Sequence, residues 1–231
     1  MATELLFSEL KAWLNAQPEN TVDTPYEIII KNAPSGGGKA YANAITRYVS
    51  IVGMGMKANV TSIGQEAFLM CTNLVHISIP EGVTSIGTQA FQGCSNLKYA
   101  ILPQSLTSIS SQVFTGCRGL EGINIPFGVT SIGYSAFRNC FSLKAIELPA
   151  NLTSIGDYAF GSCKSLTIAY VYIPFSETLM QSNSFSNTPS NIRFLVYPAF
   201  LSGWQSTTLT NYGFASGARV ESLYTKWVRV A

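Results

Sequence analysis

Two hydrophobic rhythms alternate along residues 48–174. One has a period of two: after Leu74, the apolar Ile77 and Ile79 are separated by Ser78, and His76 precedes them. Such alternation predicts a strand with Ile77 and Ile79 on one face and His76 and Ser78 on the other. Pro80 closes it, because proline has no N–H for further ladder pairing. The other rhythm advances in threes through Phe68, Cys71 and Leu74, which predicts one face of a short helical turn. Upstream of it, Thr61-Ser62-Ile63-Gly64 reads as a turn that brings one isoleucine inward. Gly64, Gly87, Gly133 and Gly156 at the same place predict a positive φ there, with Ser110 as the single departure.

The whole succession returns every 23 residues. VTSIGQEAFLMC, VTSIGTQAFQGC, LTSISSQVFTGC, VTSIGYSAFRNC and LTSIGDYAFGSC align on Cys71, Cys94, Cys117, Cys140 and Cys163, which are all the cysteines of the chain. A leucine follows each cysteine three positions later. Then come the alternating segments LVHISIP, LKYAILP, LEGINIP, LKAIELP and the looser LTIAYVYIP. The apolar side chains of one such unit do not offset its backbone entropy, so the units must stack and share their cores. Stacking pairs their strands in parallel, at about 4.8 Å spacing. Each cysteine then fills the same interior slot in successive coils, as a small hydrophobe with a reduced thiol.

The register reaches beyond the five complete units. Subtracting one period from Leu74, Ile77 and Ile79 gives Ile51, Met54 and Met56, so IVGMGM is expected to add a strand. A degenerate unit from Phe185 to Val196 carries its strand in IRFLVYP. A stack of this kind needs capped ends. Residues 3–16 predict an amphipathic helix, with Thr3 as N-cap and Leu6, Leu10, Trp13 and Leu14 on one face. YEIIIK predicts a strand against the first coil. At the other end, PAFLSGWQ predicts a short helix started by Pro198, and the tail through Tyr224 and Trp227 supplies aromatic cover. The expected organisation is one continuous domain, with an N-terminal cap of helix and strand at 1–47, repeats at 48–174, and a degenerate last repeat with a C-terminal cap at 175–231.

The consensus TSIGxxAFxxCxxLxxIxIP resembles the unit of the BspA-type leucine-rich repeat family, over about residues 48–174 and more weakly toward both ends. FLVYPAFLSGW resembles the strand and helix with which many members finish. The resemblance implies an α/β solenoid, a right-handed leucine-rich coil with a parallel β-sheet on one face. It also implies a bacterial or protozoan protein, secreted or at the cell surface, with some members acting as adhesins for host matrix proteins or other microbes. No catalytic residues come with the motif.

Composition narrows the function further. Charged residues make up only 11% of the chain and the formal net charge is +2, with no basic run, so nucleic acid is not the expected partner. No stretch is apolar for the roughly 18 residues that a membrane-spanning helix needs. MATELLFSELKAWLN lacks the basic start and unbroken apolar run of a signal peptide, so export would require a signal outside this sequence. An odd number of cysteines with no C-x-x-C pair argues against a paired disulfide framework and against zinc.

Candidate chemistry is sparse. APSGGGKA has Ala33 where a phosphate-binding loop needs its first glycine and Ala40 where it needs Ser or Thr, so it reads as a connector. His76 is the single histidine, which leaves no histidine-based metal site. Glu121, Glu147 and Asp157 read as solvated surface rather than as paired catalytic carboxylates. Asn59-Val-Thr and Asn151-Leu-Thr match the glycosylation sequon, but repeat packing already accounts for both threonines. No cofactor and no enzymatic activity are expected.

What remains is the outward face of the predicted sheet, formed by His76, Ser78, Tyr99, Ile101, Gly122, Asn124, Ala145, Glu147, Ile168, Tyr170 and Tyr172. These positions differ in character from copy to copy, whereas the inward ones stay apolar. Variable side chains on a rigid scaffold suit recognition of a protein or glycan, from the host matrix or from another microbe, by a monomeric adhesin-like module. The alternative is an architectural or assembly module within a larger surface structure.

Overall fold

The computed structural model describes residues 62–79, 81–176, 178–205, 212 and 217–223, together with the backbone of strands Thr3–Leu5, Glu27–Ile30 and Gly53–Met56. It is a parallel β-solenoid of about six turns. The principal sheet begins with Thr3–Leu5, Glu27–Ile30, Gly53–Met56, His76–Ser78, Tyr99–Ile101 and Gly122–Ile123, in that spatial order. It resumes with Ala145–Leu148, Ile168–Val171, Arg193–Val196 and Arg219–Ser222. Every recorded pairing is parallel, as successive turns of one coil require. Met54 pairs with Ile77, which is the register expected from the 23-residue period.

The expectation of a helix beginning at Thr3 is corrected. Thr3–Leu5 is a strand whose residues pair with Ile28, Ile29 and Ile30, so ladder hydrogen bonds take up the backbone that helix propensity alone would have coiled. Leu6, Leu10, Trp13 and Leu14 lie outside the described residues, as do Tyr224 and Trp227. The strand predicted in YEIIIK is present and joins the sheet through Glu27–Gly53 to Ile30–Met56.

The TSIG segments, whose sequence predicts turns, form a second parallel sheet. Ser62–Ile63 pairs with Ser85–Ile86, and Ser108–Ile109, Ser131–Ile132 and Ser154–Ile155 form a three-stranded run. Its isoleucines are buried, as expected, and its threonines form a ladder in which Thr130 Oγ1 donates to Thr107 O and Thr153 Oγ1 to Thr130 O.

The segment between Ile63 and Leu74 is a train of tight turns and not a helical turn. The N–H groups of Ala67, Leu69 and Cys71 donate three residues back, to Gly64, Glu66 and Phe68. Those of Glu66, Phe68 and Met70 donate across to Thr88, Ala90 and Gln92 of the next coil, at 3.0, 2.7 and 2.7 Å. A helix would direct all of them four residues back. Glu66 and Met70 adopt positive φ of 56° and 59°, and the same two positions do so in each coil through that of Cys163. The intercoil bonds hold these residues in a region that costs non-glycine side chains free energy.

The conserved-looking glycines of the TSIG turns answer to close approach and not to φ. A Cβ at Gly133 would stand 2.6 Å from Ser111 N, and one at Gly156 would stand 2.7 Å from Gly133 C. Gly87, Gly133 and Gly156 donate their N–H to Ile63, Ile109 and Ile132 of the preceding coil. At Ser110 the side chain does this instead, with Oγ 2.6 Å from Ile86 O, and the second sheet is interrupted there.

The core runs the length of the stack. Phe68, Phe91, Phe114, Phe137 and Phe160 are fully buried, and successive rings lie parallel with centroids 5.1 to 5.5 Å apart. Phe185 extends the column at 4.8 Å. Trp204, on the helix Leu201–Gln205 that follows the 3₁₀ turn Pro198–Phe200, closes this end: its ring stacks on Phe194 and its Nε1 donates to Ile173 O at 2.9 Å. The strand Arg219–Ser222 adds beyond it, tied by Arg193 Nε to Glu221 Oε1 at 2.9 Å.

Candidate binding surface

Strand alternation sets which side chains leave the core. Ile77, Ala100, Ile123, Ile146 and Ala169 point inward and are buried, so their neighbours point outward. His76, Ser78, Tyr99, Ile101, Asn124, Glu147, Ile168, Tyr170 and Tyr172 all occupy the outer face, Ser78, Tyr99, Ile101, Asn124 and Glu147 exposed and the other four half-buried.

Register then divides them into two groups. His76 pairs with Tyr99 and Ser78 with Ile101. The His76 and Tyr99 rings stack, centroids 5.7 Å apart and planes within 10°. Beside this stack Ile101 is 65% and Tyr99 48% exposed, so apolar surface is presented on rigid backbone. Farther along, Glu147 pairs with Tyr170 and Ala145 with Ile168, while Ile168 also adjoins Arg193.

Between the groups the sheet is broken. The ladder from Tyr99–Ile101 stops at Ile123, and Gly122–Ile123 has no strand pairing with Ala145–Leu148. A pocket of about 360 Å³ opens beside this break, lined by Gln104, Asn124, Ile125, Phe127, Glu147, Pro149, Ala150 and Tyr172. It gathers three sequence-predicted residues, Asn124, Glu147 and Tyr172, and leaves His76, Ser78, Tyr99, Ile101, Ile168 and Tyr170 outside.

The family profile described as BspA type leucine-rich repeat region matches six copies in this chain, over residues 39–167 and 95–216. The chain belongs to this family. Among solved structures, this BspA-type chain is similar to the leucine-rich repeat protein of T. pallidum, at 24% identity over 74% of this chain and 86% of that one, with a TM-score of 0.53. It is similar to the pneumococcal vaccine antigen PcpA at 20% identity, over 72% of this chain and 40% of that one, with a TM-score of 0.57. A leucine-rich repeat protein of Bacteroides ovatus matches at 25% identity and a TM-score of 0.49, over 78% of this chain. The chain spans 49% of the length of that protein. These likenesses concern the fold. No functionally curated protein matches the sequence.

Within this repeat protein, Phe127 is the pocket residue that the outer-face pattern missed. It follows Pro126 at a place where other coils carry Glu81, Gln104 and Ala150, and it is 64% exposed. A large aromatic directly after a strand-ending proline, where three of the other coils carry Glu, Gln and Ala, was the available signal. Phe175, at the corresponding place after Pro174, packs instead on Trp204 and Tyr212.

The other candidates disperse. Glu121 pairs with Lys144 at 3.4 Å, and Asp157 Oδ1 accepts from Asn183 N at 3.0 Å, so neither joins Glu147 as a catalytic pair. Asn151 Nδ2 donates to Phe127 O, while Asn59 and the APSGGGKA loop lie outside the described residues. Among the described residues no helix is long and apolar enough to cross a membrane, and no cluster of His, Cys, Asp and Glu could hold a metal.

The cysteines are interior, free and buried. The neighbouring Cys94 thiol and burial push Cys71 well up, and burial dominates in raising Cys117 and Cys140. Burial takes Cys163 from 9.0 to about 12. Thiols held protonated in this way are neither nucleophiles nor metal ligands at neutral pH.

Proposed function

We propose that the chain is a non-catalytic recognition module, secreted or held at a bacterial surface, whose principal sheet face binds a protein or glycan of the host matrix or of a neighbouring microbe. The observation that carries this reading is the Tyr99 and Ile101 patch beside the His76 ring. Large apolar side chains left in water on a backbone locked by parallel pairing form a surface that loses little freedom on binding. Tyrosine adds contact area with a polar tip, as interface centres do. The extracellular setting comes from the family resemblance, and a pneumococcal vaccine antigen of the same fold accords with it.

Photo-cross-linking tests the reading. A benzophenone side chain installed at position 101, or at position 134 on the turn side, is exposed to extracellular-matrix and microbial-surface extracts. Adducts from position 101 and none from position 134 support the sheet face. Adducts only from 134 relocate the site, and adducts from neither remove the proposal.

A further inference from the structure

Resting on the reading of the sheet face as a recognition surface, we propose that the pocket between Gln104 and Tyr172 is a subsite for a neutral carbohydrate, a short oligosaccharide rather than a charged group. Three features of the coil create it. Gly122 puts no side chain beside the ladder, and a glycine weakens a strand at that point. The strand ladder lapses just past the bond from Lys144 N to Glu121 O at 3.4 Å, so Gly122–Ile123 and Ala145–Leu148 are left unpaired there. Tyr172 stands opposite Pro149 in register, one step beyond the Leu148–Val171 pair, and gives the far end an aromatic wall in place of a proline.

The lining matches the chemistry of a sugar. Phe127 offers a solvated aromatic face on which the C–H side of a pyranose ring packs. Gln104 and Asn124 carry carboxamides, which both donate and accept, as sugar hydroxyls require of their partners. Glu147 adds an acceptor for hydroxyl protons. Among the described residues the ion pairs are Lys144–Glu121 and Arg193–Glu221, and neither engages Glu147. An anionic ligand would be repelled by Glu147. A cationic one would find a single carboxylate among amides, with Lys144 three residues away on the same segment. From Gln104 to Tyr172 the pocket crosses three coil steps, roughly 14 Å at the spacing of parallel strands, which exceeds one sugar ring.

The test is a two-dimensional amide NMR titration of the full chain with cellotriose, chitotriose and N-acetyllactosamine, with arginine amide as the charged comparator. At least one saccharide should give saturable shifts centred on Asn124, Phe127, Glu147 and Ala150, with a dissociation constant of about 1 mM. Phe127→Ser should weaken it roughly tenfold, and Glu147→Gln should weaken it by a smaller factor. Both side chains are exposed, so the variants fold. Shifts from arginine amide alone, or none from any saccharide, overturn the subsite. If no saccharide binds while position 101 still cross-links a partner, the subsite fails and the recognition surface stands.

Discussion

The thiol of Cys94 donates a hydrogen bond to the carbonyl oxygen of Phe68, one coil earlier, at 3.1 Å. Cys117, Cys140 and Cys163 repeat the contact with Phe91, Phe114 and Phe137 at 3.1 to 3.2 Å. The cysteine column is therefore more than a row of small hydrophobes: each of these four thiols fills its slot and adds a bond to a buried carbonyl of the preceding coil. Cys117→Ala removes both the volume and the donor, and should cost about 2 kcal/mol in chemical denaturation.

Alkaline pH should expose the same thiols. A thiol whose folded pKa lies above its unfolded value stabilises the fold fully below the unfolded pKa, and that contribution is lost as pH rises through the folded one. For Cys163 the window runs from 9.0 to about 12. Stability should thus fall across that range, and Cys163→Ala should flatten the fall, as read from denaturation midpoints at successive pH values. Below it, thiol reagents should label the native protein slowly and the denatured protein at once.

The glycines separate two kinds of constraint. Gly133→Ala drives a Cβ into the backbone at Ser111 and should cost about 1–3 kcal/mol. Gly133→Ser should recover part of this, since Ser110 shows how a hydroxyl replaces the intercoil N–H. Gly116 has φ of 74°, a Cβ there would make only ordinary contact with the Gly93 backbone at 3.7 Å, and Asn139 and Ser162 occupy the same place in later coils at φ of 62° and 60°. Gly116→Asn should change stability by no more than about 0.5 kcal/mol in thermal melts.

Those outcomes mark what the amino-acid pattern reveals. Strands such as His76–Ser78 and the buried set of Phe68, Cys71, Leu74 and Ile77 were legible because period and burial coincide. The turn train was not, because steps of three serve a helical turn and consecutive tight turns equally, and the sign of φ at Glu66 and Met70 leaves no trace in spacing. Glycine was ambiguous in the same way: at Gly133 it marks crowding, at Gly116 a left-handed backbone. The outer-face residues were found individually, but their division was hidden, since the break at Gly122 depends on hydrogen bonds that fail to form. Phe127 shares its place with Phe175, so its identity alone did not reveal that one ring is solvated and the other packed.

Trp204 should govern the C-terminal end. Its ring is buried on Phe194 and Phe175 and its indole N–H is satisfied by Ile173, so Trp204→Ala should cost about 3–5 kcal/mol. Trp204→Phe keeps most of the packing but leaves that carbonyl unbonded, and should fall between. Differential scanning calorimetry ranks the three proteins.

Partner binding at the face bearing Tyr99 and Ile101 is a proposal that one measurement tests above all others. Its most direct test is the binding isotherm of the cross-linked partner, once isolated, against the wild type and Tyr99→Ser/Ile101→Ser. The double variant should bind with a dissociation constant at least tenfold weaker and a melting temperature nearly unchanged, since both side chains stand in solvent. An unaltered affinity in a folded double variant would contradict it.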